Sequence, residues 1–252
     1  DVERSRGLGD VYKRQKVDSG TLTLSGVNTY SGSTTISAGT ISIGADSGLG
    51  AVPGSTTADH LTINGGTLQT TANVNHETNR GITLGASGGT IKTDGDENTR
   101  IRYMGVIAGS GNLTKTGVGK LWLFLGNHTY SGDTIISNGT LSVYGTLADA
   151  TNVRVATGAT YDVDITDTIN SLEGAGNVEL SSGITLTTGD SDNNTVSGVI
   201  SGPGNLAKAG SGTFTLSGVN TYSGSTTISA GTISIGADSG LGAAPGLSLI
   251  HI

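Results

Sequence analysis

Two acidic clusters and three histidines are the first residues whose types could do chemistry. Asp162, Asp164 and Asp167 alternate through YDVDITDT, and Asp94, Asp96 and Glu97 crowd DGDEN. Carboxylates at such spacing could hold calcium, but neither run has the central glycine and terminal glutamate of a twelve-residue calcium loop. They read as solvated loops or strand faces. His60, His76 and His128 stand far apart, with no second histidine at a ligand spacing. The serines have no companion acid and base, so the expectation is no catalytic residue, no metal and no cofactor. Paired carboxylates leave one enzymatic alternative, a polysaccharide-acting lyase or glycoside hydrolase built on a β-helix, which rests on fold-level analogy.

Recognition is the chemistry that remains. In KLWLFL, Leu121 and Leu123 take the inward phase, so Trp122 and Phe124 point out. About twenty residues earlier Arg100 and Arg102 fall in the same outer column, and Lys120 stands beside Trp122. Exposed tryptophan with arginine nearby suits stacking on a sugar ring or gripping an anionic partner. The competing reading is that one extra residue, Leu125, makes a bulge that turns these aromatics under a loop.

What could position such a patch is visible in the repeats. Residues 25–51 and 217–243 are the same 27 residues, SGVNTYSGSTTISAGTISIGADSGLGA. Leu or Ile alternates with Thr or Ser in the first strand signals, and apolar pairs recur at Leu22/Leu24, Ile41/Ile43, Leu61/Ile63, Ile82/Leu84, Ile101/Tyr103, Leu121/Leu123, Leu141/Val143 and Tyr161/Val163. The pattern resumes at Ile184/Leu186, Phe214/Leu216 and Ile233/Ile235. Alternation means strands with one buried face, and steps of about twenty residues are too long for hairpins. A chain that lays one strand on the previous one at every turn fits, with Gly and Asn at its corners. The fold class expected is all-β, a right-handed parallel β-helix of roughly eleven coils of about twenty residues, a rod of about 50 Å. Strands at 21–25, 40–43, 61–63, 82–84, 121–125 and 140–143 are expected in one parallel stack.

Composition agrees. The 252 residues include 43 Gly, 3 Pro and no Cys, with a net charge of −7. Glycine without a G-X-Y period excludes collagen, and an acidic surface makes nucleic acid a poor partner. No apolar run reaches the roughly 18 residues of a membrane helix. The two ends read differently. Asp10–Gln15 spell DVYKRQ and Leu247–Ile252 spell LSLIHI. Written as GAT GTG TAT AAG AGA CAG, the first has a reverse complement that translates as the second. Both ends therefore read as opposite strands of one sequencing adaptor. Residues 1–15 and 247–252 are set aside as adaptor-derived and expected to be irregular, and 16–246 is read as an internal β-helix fragment.

The blocks GVIAGSGNLTKTGVG at 105–119 and GVISGPGNLAKAGSG at 198–212 each precede a copy of the LSGxNTYSGxTxISxGTL pattern. The combined order, near 16–44, 105–143 and 198–235, resembles the passenger-associated β-strand repeat of bacterial autotransporters. INSLEGAGNVEL at 169–180 resembles the strands that separate such repeats. The resemblance implies a structural, adhesin-like segment of a secreted passenger that aids export and extracellular folding, displayed at the bacterial cell surface. It implies a C-terminal outer-membrane barrel in the parent protein, and a host or environmental glycan or surface protein as partner. The middle copy departs from the pattern, with LWLFLGNHTY in place of TFTLSGVNTY, which puts its local register in question.

Overall fold

The computed structural model describes residues 14–243. Every pairing between strands in it is parallel, and nearly every partner lies 17–27 residues away, so the chain is a β-solenoid. An eleven-stranded sheet runs the whole length, from Thr21–Leu24 to Thr232–Ile235, and its strands count eleven coils. Two further faces flank it. A five-stranded sheet from Arg14–Lys16 to Ile107–Gly109 gives way, further along, to a four-stranded sheet from Asp167–Ile169 to Thr226–Ile228. A seven-stranded sheet runs from Val74–His76 to Ile200–Ser201. Coils with three strands visit these faces in a fixed order, here called first, second and third.

The single stack expected for six strands is corrected by this topology. Thr21–Leu24 and Thr40–Ile43 lie on the second face, Thr57–Ile63 and Arg80–Leu84 on the first, and Lys120–Leu123 and Thr140–Val143 on the third. The inward phase held in the interior coils, where Ile41, Ile43, Leu61, Ile63, Leu121, Leu123, Tyr161 and Val163 are all buried, but at the two outermost pairs Leu22 and Ile235 are exposed and Leu24 and Ile233 only partly covered. Because strands on all three faces carry the same alternation, a twenty-residue step cannot say which face a strand takes. The long arc at 44–56, with its 3-10 turn Asp46–Leu49, lengthens one coil and carries the count onto another face. The middle repeat is likewise turned by one face. Its strands Leu113–Thr116 and Lys120–Leu123 occupy the second and third faces, while Asn205–Lys208 and Thr213–Leu216 of the last repeat occupy the first and second.

The adaptor readings at 1–13 and 247–252 lie outside the described residues. Arg14 and Gln15 do not: with Lys16 they form a regular strand on Thr34–Ile36. The expectation of an irregular end therefore fails at these two residues. Backbone pairing to an open parallel edge is indifferent to side chain, so any extended segment can take it.

Each fully buried aliphatic contributes roughly 1.5–3 kcal/mol, but a coil also needs its corners satisfied. The repeats solve this with side chains turned inward. Lys115 is fully buried, and its ammonium donates to the carbonyls of Thr116, Gly117 and Asn138 at 2.8, 2.9 and 3.0 Å. Three acceptors match the three donors of the group, while burial pushes its pKa down to about 7. Lys208 donates to the carbonyls of Ala209 and Gly210, and Lys16 to that of Asp18. Tyr30, Tyr130 and Tyr222 each share a hydrogen bond with the threonine four residues on, Thr34, Thr134 and Thr226. At another corner the Ile200 N–H donates to Asn220 (2.8 Å) and the Leu147 N–H to Asp167 (3.0 Å). His128 stands where the last repeat has Asn220 and accepts the Ile107 N–H at 3.1 Å. A polar ladder climbs the outside, from Asn112 through Asp133 and Asn152 to Asn170.

Two expectations follow from these corners. Gly139 has φ 68°, and a Cβ there would lie 2.4 Å from the carbonyl oxygens of Gly117 and Gly119 and 2.9 Å from the Lys115 ammonium. Gly158, at φ 82°, has open space around it. Gly139→Ala should cost about 3 kcal/mol or more, and Gly158→Ala about 1 kcal/mol of left-handed strain alone, as read by urea unfolding. The second concerns His128, whose pKa burial lowers to about 4 from an ordinary 6.5. Between those values the unfolded chain binds a proton that the folded chain does not, so the stability of the parent chain falls as pH drops through the window. At pH 5 this amounts to about 2 kcal/mol. His128→Asn should match the parent chain at pH 7 and lose less on going to pH 5; equal losses would show that His128 is not buried neutral.

Candidate surface-binding site

The third face carries the five residues singled out from the sequence, and the register brings them together. Arg100 pairs with Lys120 and Arg102 with Trp122 across neighbouring strands. Ile101, Tyr103, Leu121 and Leu123 between them are buried, which forces Arg100, Arg102, Lys120 and Trp122 outward. Trp122 and Phe124 are half-buried and Lys120 is exposed. The two guanidinium groups lie over the rings diagonally: Arg100 is 5.0 Å from the Trp122 centroid and Arg102 is 3.6 Å from that of Phe124. Cation–π contacts of this kind contribute about 0.5–1 kcal/mol at exposed sites and fix the orientation of a long side chain. The extra residue, Leu125, is itself 46% exposed.

One coil further on, the face adds what the sequence reading missed. Tyr144 is 39% exposed, 6.1 Å from Trp122 and 5.3 Å from Phe124. Counting one coil forward as well as back would have found it. The same register continues from Trp122 through Ser142 and Asp162 to Glu179, and Asp164 stands two residues along from Asp162. The face therefore grades from three cations through three aromatics to three carboxylates. Ser142 donates to Asp162 (2.8 Å) and Ser181 to Asp164 (2.7 Å). Burial, helped by the charges of Asp164 and Glu179, raises Asp162 to about 6.

The other candidates fall apart or change character. Asp167 turns inward, away from Asp162 and Asp164, and accepts backbone N–H groups of Leu147 and Thr168. Asp94 pairs with Lys92 (2.7 Å), and Asp96 closes its own turn through Asn98 and Thr99. Among the described residues no group of three metal-binding side chains converges. The histidines are not all scattered, however. His60 and His76 meet in one buried cluster around Arg80, which is fully buried. Arg80 bonds Asp46 at 3.0 and 3.2 Å, His60 at 2.8 Å and the carbonyls of Leu49 and Gly50, while His76 contacts Asp46 at 2.5 Å. Burial alone would raise the Asp46 pKa, but His76 and Arg80 hold it below the ordinary value. Burial and the Arg80 charge lower that of His60. A guanidinium at the centre repels a metal ion, so the cluster serves to pin the 44–56 arc to the stack.

The comparisons agree with this architecture. The family described as Passenger-associated-transport-repeat matches residues 15–43, 113–143 and 206–235. Each match spans four successive strands, with an inward lysine, Lys16, Lys115 or Lys208, near its start. The chain is also 41% identical over 140 residues to the Adhesin BmaC autotransporter of Brucella suis biovar 1 (strain 1330). That stretch is 56% of this chain, and it spans 4% of the length of the relative. No solved structure matches the chain. Three matches to the Passenger-associated-transport-repeat thus lie on one continuous solenoid, in a chain that is similar over 140 residues to an autotransporter adhesin.

Proposed function

We propose that the solenoid is an adhesin-like segment of a passenger exported to the bacterial cell surface, where the parent protein is anchored by a C-terminal outer-membrane barrel. The observation that carries this reading is the 41% identity over 140 residues to an autotransporter adhesin, in a chain that carries three passenger-associated repeats. The physics supports it. A parallel solenoid can fold coil by coil from one end, so each coil that emerges finds a template and needs no distant partner. That suits a chain which crosses a membrane unfolded and aids its own export by folding outside. The role is structural and adhesive rather than enzymatic. Asp162, Asp164 and Glu179 do stand on adjoining rungs of the third face, but the similarity of the chain is to an adhesin, which favours the structural reading.

The adhesive surface is the patch of Arg100, Arg102, Lys120, Trp122 and Phe124, with a glycan or surface protein as its partner. The aromatic faces supply apolar area and the guanidinium groups supply directed charge. The full chain fused to an outer-membrane barrel should attach bacteria to glycan-bearing host cells. Trp122→Ala should cut that attachment about tenfold, the loss of one contact of about 1.4 kcal/mol. Its melting temperature should stay within a few degrees of the parent, because Trp122 lies outside the core. Equal attachment by both proteins would reject the patch, and no attachment by the parent would reject the adhesive reading.

A further inference from the structure

The grading of charge along the third face says more about the ligand than the patch alone. Resting on the adhesive reading above, we propose that this face binds a glycan whose terminal sugar carries a carboxylate and whose inner sugars are neutral, lying along the solenoid axis. The acidic cap sits on Arg100, Arg102 and Lys120, and the inner sugars run over Trp122 and Tyr144 towards Asp162.

Three observations carry the orientation. Among the described residues no carboxylate lies within ion-pair distance of Arg100, Arg102 or Lys120. The Nε groups of Arg100 and Arg102 are buried yet make no hydrogen bond. Each guanidinium is stacked on a ring, which leaves its edge free to meet a carboxylate in the two-pronged fashion that lysine cannot. The cationic end is thus held in place and lacks an anion.

The far end asks for the opposite. Asp162, Asp164 and Glu179 are three and four rungs from Arg102, so Asp162 lies about 14 Å away at about 4.8 Å per rung. Among the described residues these carboxylates have no cation within ion-pair distance either. They can accept hydrogen bonds from sugar hydroxyls, but they repel a second anion. A polymer charged along its whole length would place negative groups over them. A glycan with a single acidic cap satisfies both ends, and the aromatic rungs between offer faces for neutral sugar rings. Lysine, arginine and carboxylate thus act as a polarity filter, attracting one ligand and opposing its uniformly charged relative.

The test is calorimetric binding of the full chain to sialyllactose, to lactose and to heparin. Sialyllactose should bind tightest. Arg102→Gln should weaken sialyllactose binding about ten- to hundredfold and leave lactose binding nearly unchanged. The double variant Asp162→Asn, Asp164→Asn should strengthen heparin binding. Lys120→Gln, at an exposed position, repeats the first comparison should Arg102→Gln fail to fold. Equal binding of sialyllactose and lactose, or heparin binding tightest to the parent chain, would overturn the inference. If none of the three binds while the displayed chain still attaches to host cells, the glycan assignment fails and the adhesive reading stands. Loss of both attachment and binding would sink the two together.

Discussion

The backbone ladder between successive coils is the constraint on which everything else in this chain depends. Among the described residues each strand pairs with the coil before, the coil after or both, and none pairs in a hairpin. A coil by itself buries little and leaves two edges open, so stability is a property of the stack. Stacking in register then places like positions above one another. Inward columns become aliphatic, and every corner must find acceptors and donors for its backbone at the same spot in each coil. The buried Lys115 and Lys208 and the half-buried Lys16, the tyrosine–threonine pairs and the inward Asn220, His128 and Asp167 are answers to that demand. A glycine at positive φ, Gly139 in the middle repeat, lies against the lysine because no Cβ fits there.

The same constraint leaves the outside free. Outward residues touch only their neighbours above and below, so a column can change chemistry from rung to rung without disturbing the core. Most outer positions are Thr or Ser. The third face departs from this over a few rungs, where cations, aromatics and carboxylates succeed one another. The grading is a consequence of register: each group is separated in sequence by about twenty residues and in space by one rung. Where a coil is lengthened, as at 44–56, the added arc needs its own fastening, and the buried Arg80 with Asp46, His60 and His76 provides it.

The alternation of Ile and Leu with Thr, the step of about twenty residues and the glycines at corners were enough to read an all-β solenoid of about eleven coils, because these depend on local geometry repeated many times. The outward phase of Arg100, Arg102, Trp122 and Phe124 was legible for the same reason. The identity of the face was not. Alternation is the same on all three sides, and only the lengths of the arcs between strands decide where a strand lands, so the irregular LWLFLGNHTY put the register of the middle repeat in question but could not say that it sits one face round from the last. The inward lysines carried a signal that was available, a charge at the same position in all three repeats of a chain poor in lysine. Tyr144 was within reach of the same count, one coil forward, but the gathering of Asp162, Asp164 and Glu179 on the third face and the meeting of His60 with His76 across Arg80 came only from the tertiary structure. Contacts between residues far apart in the chain are set by register, and register is a property of the assembled stack.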